Sequence, residues 1–341
     1  MVNKNTEDSF WFGRKVLVTG ATGLVGSWLV KKLNESGADV IVFARDFSPQ
    51  SELVLSGAFK EIQRIHGDLT CFRTIERAVT ESECEIILHL GAQAIVSTGK
   101  RSPLLTFEAN IRGTYNLLEA ARVHRDYVNA VVVASSDKAY GKSDKLPYLE
   151  EMPLAGTEPY EVSKTCADLL STSYFKSFDL PVAVARCGNI YGGGDLNFSR
   201  LVPGTIRSLL LGDKPIIRSD GSFIRDYIYV KDVVAAYLAL AEAVAKGAYL
   251  GEAFNFSPER PVGVLELVLE LQKQLGVERL QPIIQNTATG EIHSQALDST
   301  KARQNLGWKP HYTLEKGLAE TIDWYRKFLA SRPRQGAVSG K

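Results

Sequence analysis

The 341-residue chain has 45% hydrophobic, 23% charged and 9% aromatic residues, the makeup of a globular protein with a substantial core, and at about 150 residues per domain its length corresponds to roughly two domains. Its 40 basic residues nearly balance 39 acidic ones, so it lacks the basic excess that binding a phosphate backbone calls for, and nucleic acid is not an expected partner. No stretch approaches the roughly 18 apolar residues that span a bilayer, and the opening MVNKNTEDSFWFGRK has no apolar signal-peptide core, so a cytoplasmic protein with no membrane partner is expected. Cysteines at 71, 84, 166 and 187 have neither zinc-site spacing nor the density of a disulfide scaffold; they read as reduced core thiols, and no metal is expected.

In chain order, apolar runs rich in Val and Ile stand at residues 15–19 (KVLVT), 39–44 (DVIVFA), 85–90 (EIILHL) and 130–135 (AVVVAS). Continuous runs of this length suit strands buried on both faces of a parallel sheet. Between them, residues 24–36 and 103–125 carry apolar residues at helical spacing, so the order reads as repeated β-α-β units. A helix over residues 160–178, ended with the help of Pro181, leads to a further strand at 182–186. The expected fold is α/β, a Rossmann-type doubly wound parallel sheet. From about Asn189 the texture changes to Gly-rich loops (YGGGD, LGDKP, RSDGS), short strands and separated helices. This predicts a dinucleotide-binding domain at residues 1–188, to which later segments return, and a smaller, interleaved C-terminal α/β substrate domain at 189–330. Residues 331–341 (SRPRQGAVSGK) read as a frayed tail, and the sequence has no internal repeat.

Directly after the first strand comes Gly20-Ala21-Thr22-Gly23-Leu24-Val25-Gly26. Glycine at these positions permits a tight turn, close approach of backbone to a pyrophosphate, and hard packing of the next helix, whose unpaired N–H groups receive the phosphates. A glycine triplet alone is weak evidence, with an ordinary strand–helix turn as the competing reading; the strand before it and the helix after it favour a dinucleotide. The second strand ends Phe43-Ala44-Arg45-Asp46, where small Ala44 and cationic Arg45 offer room and charge for a 2′-phosphate and so favour NADP. A solvated Arg45, with Asp46 reaching a ribose hydroxyl, is the NAD alternative. Gly67-Asp68-Leu69 brings Asp68 and Leu69 toward the adenine, and His89-Leu90-Gly91-Ala92 lines the cofactor through Leu90 and Ala92, with plain turn chemistry as the other reading. Cys187 lies near the nicotinamide if the sixth strand ends there, or is a small buried filler.

Tyr160-Glu161-Val162-Ser163-Lys164 sets Tyr160 and Lys164 four apart on one helix face. An ammonium beside a phenol, with an oxidised nicotinamide nearby, lowers the phenol pKa toward that of a general base. The bare spacing is common on helix surfaces. What singles it out is Ser135-Ser136-Asp137-Lys138, about two dozen residues earlier, at the C-terminal end of the fifth strand where such a sheet places its active site.

With these residues the chain resembles an extended short-chain dehydrogenase/reductase over nearly its whole length, and more narrowly the nucleoside-diphosphate-sugar 4,6-dehydratases. The segments FWFGRKVLVTGATGLVGSWL, HLGAQ, SSDKAYG, EPYEVSK and RCGNIYGGGD are similar to the CDP-glucose 4,6-dehydratases. FARDFSPQSEL looks more like the NADP-binding UDP-N-acetylglucosamine 4,6-dehydratases, and FIRDYIYVKD resembles the wider epimerase/dehydratase family. The resemblance implies that Ser136, Tyr160 and Lys164 form the triad that oxidises the sugar at C4, with a tightly bound, recycled NADP or NAD. It puts Asp137 and Lys138 at the acid/base pair of a dehydratase, and the physical assignment is Asp137 as the acid toward the 6-hydroxyl and a desolvated, neutral Lys138 as the base at C5. Many relatives carry Glu at the latter position, and electrostatic support of Asp137 is the competing role for Lys138.

The same resemblance implies a nucleotide-diphosphate sugar substrate, with Asn189 and Arg225 at the diphosphate, Arg303 as a third, weaker candidate there, and Leu201-Val202-Pro203 flanking the base. It also implies a homodimer through the helices at 103–125 and 160–178. A 4-epimerase of the same fold needs Ser136, Tyr160 and Lys164 but no acid/base pair at C5 and C6, so Asp137-Lys138 weighs against it. A decarboxylase or C2-epimerase stays open, because fold does not fix chemistry. A non-catalytic dinucleotide-binding sensor is the alternative from another class, and an intact Ser-Tyr-Lys set weighs against it.

Overall fold

The strands expected from the Val/Ile runs form in a computed structural model that describes residues 9–288 and 291–331; apart from Ser331, the predicted tail lies outside the described residues. They are β1 (Lys15–Thr19), β2 (Asp39–Ala44), β4 (Ile86–His89), β5 (Ala130–Ala134) and, for the further strand expected at 182–186, β6 (Val182–Cys187); the structure adds β3 (Gln63–His66), β7 (Asn189–Tyr191), β8 (Ile216–Ile217), β9 (Ile224–Tyr229), β10 (Ala253–Phe256), β11 (Pro261–Gly263) and β12 (Ile283–Ile284). Seven of them make one parallel sheet in the order β3-β2-β1-β4-β5-β6-β10. The chain winds outward from β1 to β3, then returns to lay β4 against the other side of β1. That reversal opens a crevice beyond the carboxyl ends of β1 and β4.

Alternate residues of each strand enter opposite cores. Val16, Val18, Val40, Val42, Ile86 and Leu88 face one layer, with Leu29 and Leu33 of the Leu24–Glu35 helix and Val233, Tyr237 and Leu240 of the Val230–Ala245 helix. Leu17, Ile41, Phe43, Ile87, Val131 and Val133 face the other, against the Phe72–Ser82 and Gly113–Val123 helices. Both faces are covered, which is why the strands read as unbroken apolar runs; each fully buried Val, Leu or Ile contributes about 1.5–3 kcal/mol.

The continuous helix expected at 103–125 is interrupted. It consists of Pro103–Phe107, five residues of wider π winding at Glu108–Arg112, and Gly113–Val123. The wide turn aims Asn110 inward, where Oδ1 accepts from Gln93 N at 2.7 Å and Nδ2 donates to Gln93 O at 3.0 Å and to Ser163 Oγ at 2.9 Å. These side-chain bonds tie the wide turn to the loop after β4 and to the helix that carries Tyr160.

The smaller region centres on β9, parallel to β7 and antiparallel to β11. Tyr191, Ile206, Tyr229, Leu267, Leu318 and Tyr325 fill its core beneath the Leu201–Leu211, Val264–Leu275 and Leu314–Ala330 helices. β10 and the Val230–Ala245 helix return to the main sheet, so the two regions interleave. Among the described residues no helix is long and apolar enough to cross a membrane, and no His/Cys/Asp/Glu group is arranged to hold a metal ion.

Candidate active site

A cleft of about 1760 Å³ runs from the carboxyl ends of the main-sheet strands into the smaller region. A site for a single small ligand spans about 300–1,000 Å³, so this one has room for a dinucleotide and a second nucleotide. Gly20, Thr22, Gly23, Leu24, Val25 and Gly26 line one end. Gly20 sits at φ +71°, and a Cβ there would lie 2.7 Å from Gly91 N; a Cβ on Gly26 would meet Gly20 O closer still, at 2.2 Å. Only glycine lets the turn, the β4 loop and the helix start approach this closely, which is the backbone cradle a pyrophosphate needs. The residues therefore fit a dinucleotide.

Asp68, Leu69, Leu90 and Ala92 also line the cleft. His89 does not: it is buried behind the loop, with Nδ1 2.8 Å from Thr19 Oγ1 and Nε2 3.2 Å from Thr114 Oγ1, and burial pushes its pKa down to about 3. It is a neutral core histidine that fastens β1 to β4 and to the Gly113–Val123 helix. Arg45 lines the cleft but is not a free cation, because Nε contacts Asp46 Oδ2 at 2.8 Å and Nη1 contacts Asp68 Oδ2 at 3.5 Å. Those carboxylates hold the guanidinium's pKa above its usual value, the hydrogen bond that Arg45 donates to Asp46 foremost. The NADP expectation rested on an unpaired Arg45, and two acids at the same spot remove that ground.

At the end of β5, Ser136 caps the short turn Asp137–Tyr140, its Oγ accepting from Lys138 N at 3.2 Å and donating to Asp137 Oδ1 at 2.9 Å. Ser136, Asp137, Lys138, Tyr160, Lys164 and Cys187 all line the cleft. Asp137 is 2% exposed and its Oδ2 has no hydrogen-bond partner; burial raises its pKa, against the pull of the Lys138 charge. Lys138 is pushed the other way, its pKa lowered by burial against the pull of Asp137. Adjacent groups thus each disfavour the charged form.

The Pro159–Phe178 helix presents Tyr160 to the cleft near Ser136, which opposes the rise of the phenol's pKa. Lys164 Nζ donates to Ala134 O at 2.7 Å, and burial brings its own pKa down to about 8. The Tyr160 phenol is pushed up to about 12 by burial, and the cation opposing that rise is Arg200. Cys187 is also buried, and its thiol is pushed far up, so it packs as an inert neutral side chain.

At the substrate end, Asn189, Leu201 and Arg225 line the cleft, and the buried Asn189 Nδ2 has no partner. Arg225 donates from Nη1 to Ile224 O at 2.8 Å and His293 O at 2.9 Å, while Nη2 lies 3.6 Å from Glu291. Arg303 is elsewhere: on the Thr300–Leu306 helix it ion-pairs with Glu259 at 2.5 Å, bonds Thr300 Oγ1 at 2.7 Å and lines no part of the cleft. Other arginines, which sequence reasoning left aside, line the cleft instead. Arg200, Arg207 and Arg218 all line the cleft, with Arg200 held 3.0 Å from Asp195. Arg218 stands in RSDGS and Arg200 just before Leu201, segments noted for glycine and for the base rather than for charge.

The NAD dependent epimerase/dehydratase family matches residues 16–256. The chain belongs to that family. It is 31% identical over 343 residues to the CDP-glucose 4,6-dehydratase of Salmonella typhimurium, covering 96% of this chain and 94% of the relative. In structure it is similar to the UDP-glucose 4-epimerase of Thermotoga maritima solved with UDP-glucose, at TM-score 0.84 and 29% identity, covering 92% of this chain and 99% of that one. A dTDP-glucose 4,6-dehydratase from Streptomyces venezuelae solved with NAD gives TM-score 0.83 at 27% identity, covering 92% and 97%. Family members of both activities thus share the fold, and the cofactor in the latter structure is NAD.

Proposed function

We propose that this family member is a nucleoside-diphosphate-sugar 4,6-dehydratase, a lyase that makes a 4-keto-6-deoxy sugar nucleotide, with CDP-glucose as the first substrate to test. The observation that carries the reading is buried Asp137 next to half-buried Lys138, both lining the cleft with Ser136 and Tyr160 and each displaced toward its neutral form. An epimerase has no use for such a pair; the likeness to UDP-glucose 4-epimerases is what keeps 4-epimerisation as the second reading.

Gly20, Thr22, Gly23, Leu24, Val25 and Gly26 would hold the dinucleotide phosphates, with Asp46, Asp68 and Leu69 at the adenosine and Leu90, Ala92, Tyr160, Lys164 and Cys187 along the nicotinamide half. We infer NAD, since the acids around Arg45 disfavour a 2′-phosphate. A bound dinucleotide would supply a hydride acceptor and donor for the sugar and, while oxidised, a positive ring.

Tyr160 takes the proton of the 4-hydroxyl, with Ser136 and Arg200 opposing the cost of a buried phenolate. Lys164, fixed on Ala134 O, holds the strand end against the helix. The 4-ketone acidifies the C5 proton. Lys138 removes it while protonated Asp137 gives its proton to the departing 6-hydroxyl, which leaves as water. Asn189 and the arginines at 200, 207, 218 and 225 supply donors for the diphosphate.

The test is incubation of the purified protein with CDP-, GDP-, UDP-, dTDP- and ADP-hexoses, following substrate mass and cofactor absorbance. Loss of one water without net cofactor consumption is the expected result. A product of unchanged mass would establish the epimerase, and inertness across the panel would support the sensor.

A further inference from the structure

Lys138 is held by a residue 157 positions away: its Nζ donates to Gln295 Oε1 at 2.9 Å. Gln295 is fully buried and lines no part of the cleft, and its Nε2 has no partner. The backbone on both sides is pinned. Ile224 N donates to His293 O at 3.0 Å and Gln295 N to Ile224 O at 3.2 Å, while Tyr148 N donates to Ala296 O at 2.8 Å and Asp298 N to Tyr148 O at 3.0 Å. The amide oxygen is therefore a fixed point between β9 and the chain at Tyr148.

We propose that Gln295 is a positioning residue for Lys138, a neutral acceptor that directs the amine without retaining its proton. This rests on the dehydratase reading for the step it serves. A neutral amine has two N–H donors and one lone pair; Gln295 Oε1 engages a donor and leaves the lone pair free. The lone pair takes the C5 proton, the C5–H electrons form the C5–C6 double bond, and the C6–O bond breaks as Asp137 protonates the departing oxygen. The charged groups facing Lys138 are Asp137 on its own turn, Glu161 from the Pro159–Phe178 helix, Arg225 from β9 and Glu291 from the pinned segment's start. A carboxylate at 295 would add to the three acids and hold the ammonium form, which is why an amide serves here and an acid does not.

Gln295→Glu and Gln295→Met test this in the full chain. The Lys138 titration is read by NMR of lysine carrying ¹³C at Cε, assigned with Lys138→Met, and turnover of CDP-glucose in D₂O reports deuterium at C5. In Gln295→Glu the Lys138 midpoint is expected to rise by about one to three pH units, and the acidic limb of C5 exchange to move up with it. Gln295→Met removes the unpaired Nε2, so its melting temperature should not fall. KM should hold, because residue 295 does not reach the cleft, while kcat drops on the order of ten- to a hundredfold. An unmoved Lys138 midpoint in Gln295→Glu, or wild-type kcat in Gln295→Met, overturns the proposal. If the wild-type protein places no deuterium at C5 the dehydratase reading fails separately, and the Lys138 midpoint still decides whether Gln295 governs the amine.

Discussion

Asp137 and Lys138 share a setting that penalises charge on either, so their protons belong to the pair. Burial raises Asp137 above its usual 3.8 and lowers Lys138 below its usual 10.5. The proposed elimination uses the form with one proton, on Asp137, and a neutral Lys138, and burial of the two groups shifts each in that direction. Below the first step both are protonated and no base exists; above the second neither is, and no acid exists. Turnover against pH is therefore a bell with both limbs inside that interval. Asp137→Asn should abolish the alkaline limb and Lys138→Gln the acidic one, each lowering kcat by about 10²–10⁴-fold, as rate profiles of the two variants will check. Arg45 carries a second prediction. With Asp46 and Asp68 intact, fluorescence titration should find NAD bound more tightly than NADP, and Asp46→Ser should narrow that preference by releasing the guanidinium. The residue types of this site were legible in order along the chain, but their electrostatic state was not. What neutralises Arg45 includes Asp68 on another strand's loop, and what faces Tyr160 is Arg200, 40 positions on.

The Pro159–Phe178 helix shows how an element start places a reacting group. Pro159 opens it, and Glu158 and Glu161 form a reciprocal capping box, Glu161 Oε2 accepting from Thr157 N at 3.0 Å and Glu158 N at 3.2 Å. Tyr160 lies inside that first turn, so the cap sets its direction. Glu161→Ala should cost about 0.5–2 kcal/mol in chemical denaturation and lower kcat more than it raises KM, whereas Glu161→Gln, which keeps an acceptor, should retain most of both. This helix was readable to within a residue of its start because proline and the apolar spacing both mark it. The helix at 103–125 was not, since its apolar spacing continues through the wide turn, and what widens it is Asn110 bonding Gln93 and Ser163 in separate elements. β1, β2, β4 and β5 fell where the Val/Ile runs put them because burial on both faces leaves such runs no other use, whereas the edge strands β3 (QRIH) and β10 (AFNF) carry no such run. Arg303 misled for the opposite reason: a lone arginine's role depends on the nearest acid, here Glu259, and spacing along the chain does not reveal it.

At the scale of the molecule, the helices that carry Asn110 and Tyr160 also leave apolar side chains in solvent. Leu104 is 67% exposed, Leu169 58% and Phe178 43%, and Tyr115 adds a further partly exposed ring. A patch of this kind beside a completed core points to a partner. We propose a two-fold dimer in which the helices at 103–123 and 159–178 pair with their mates, since an isologous contact buries the same patch twice. Light scattering after size exclusion should then give twice the 37.5 kDa chain mass. Leu104→Glu combined with Leu169→Glu puts like charges across such a contact and should yield monomer at micromolar concentration. Neither residue lines the cleft, so any fall in kcat in the monomer would reach the site through the same helices, whose first turns hold Tyr160 and, by way of Asn110, the loop at Gln93. A wild-type chain that stays monomeric up to high concentration would reject the dimer and leave these leucines as isolated surface residues.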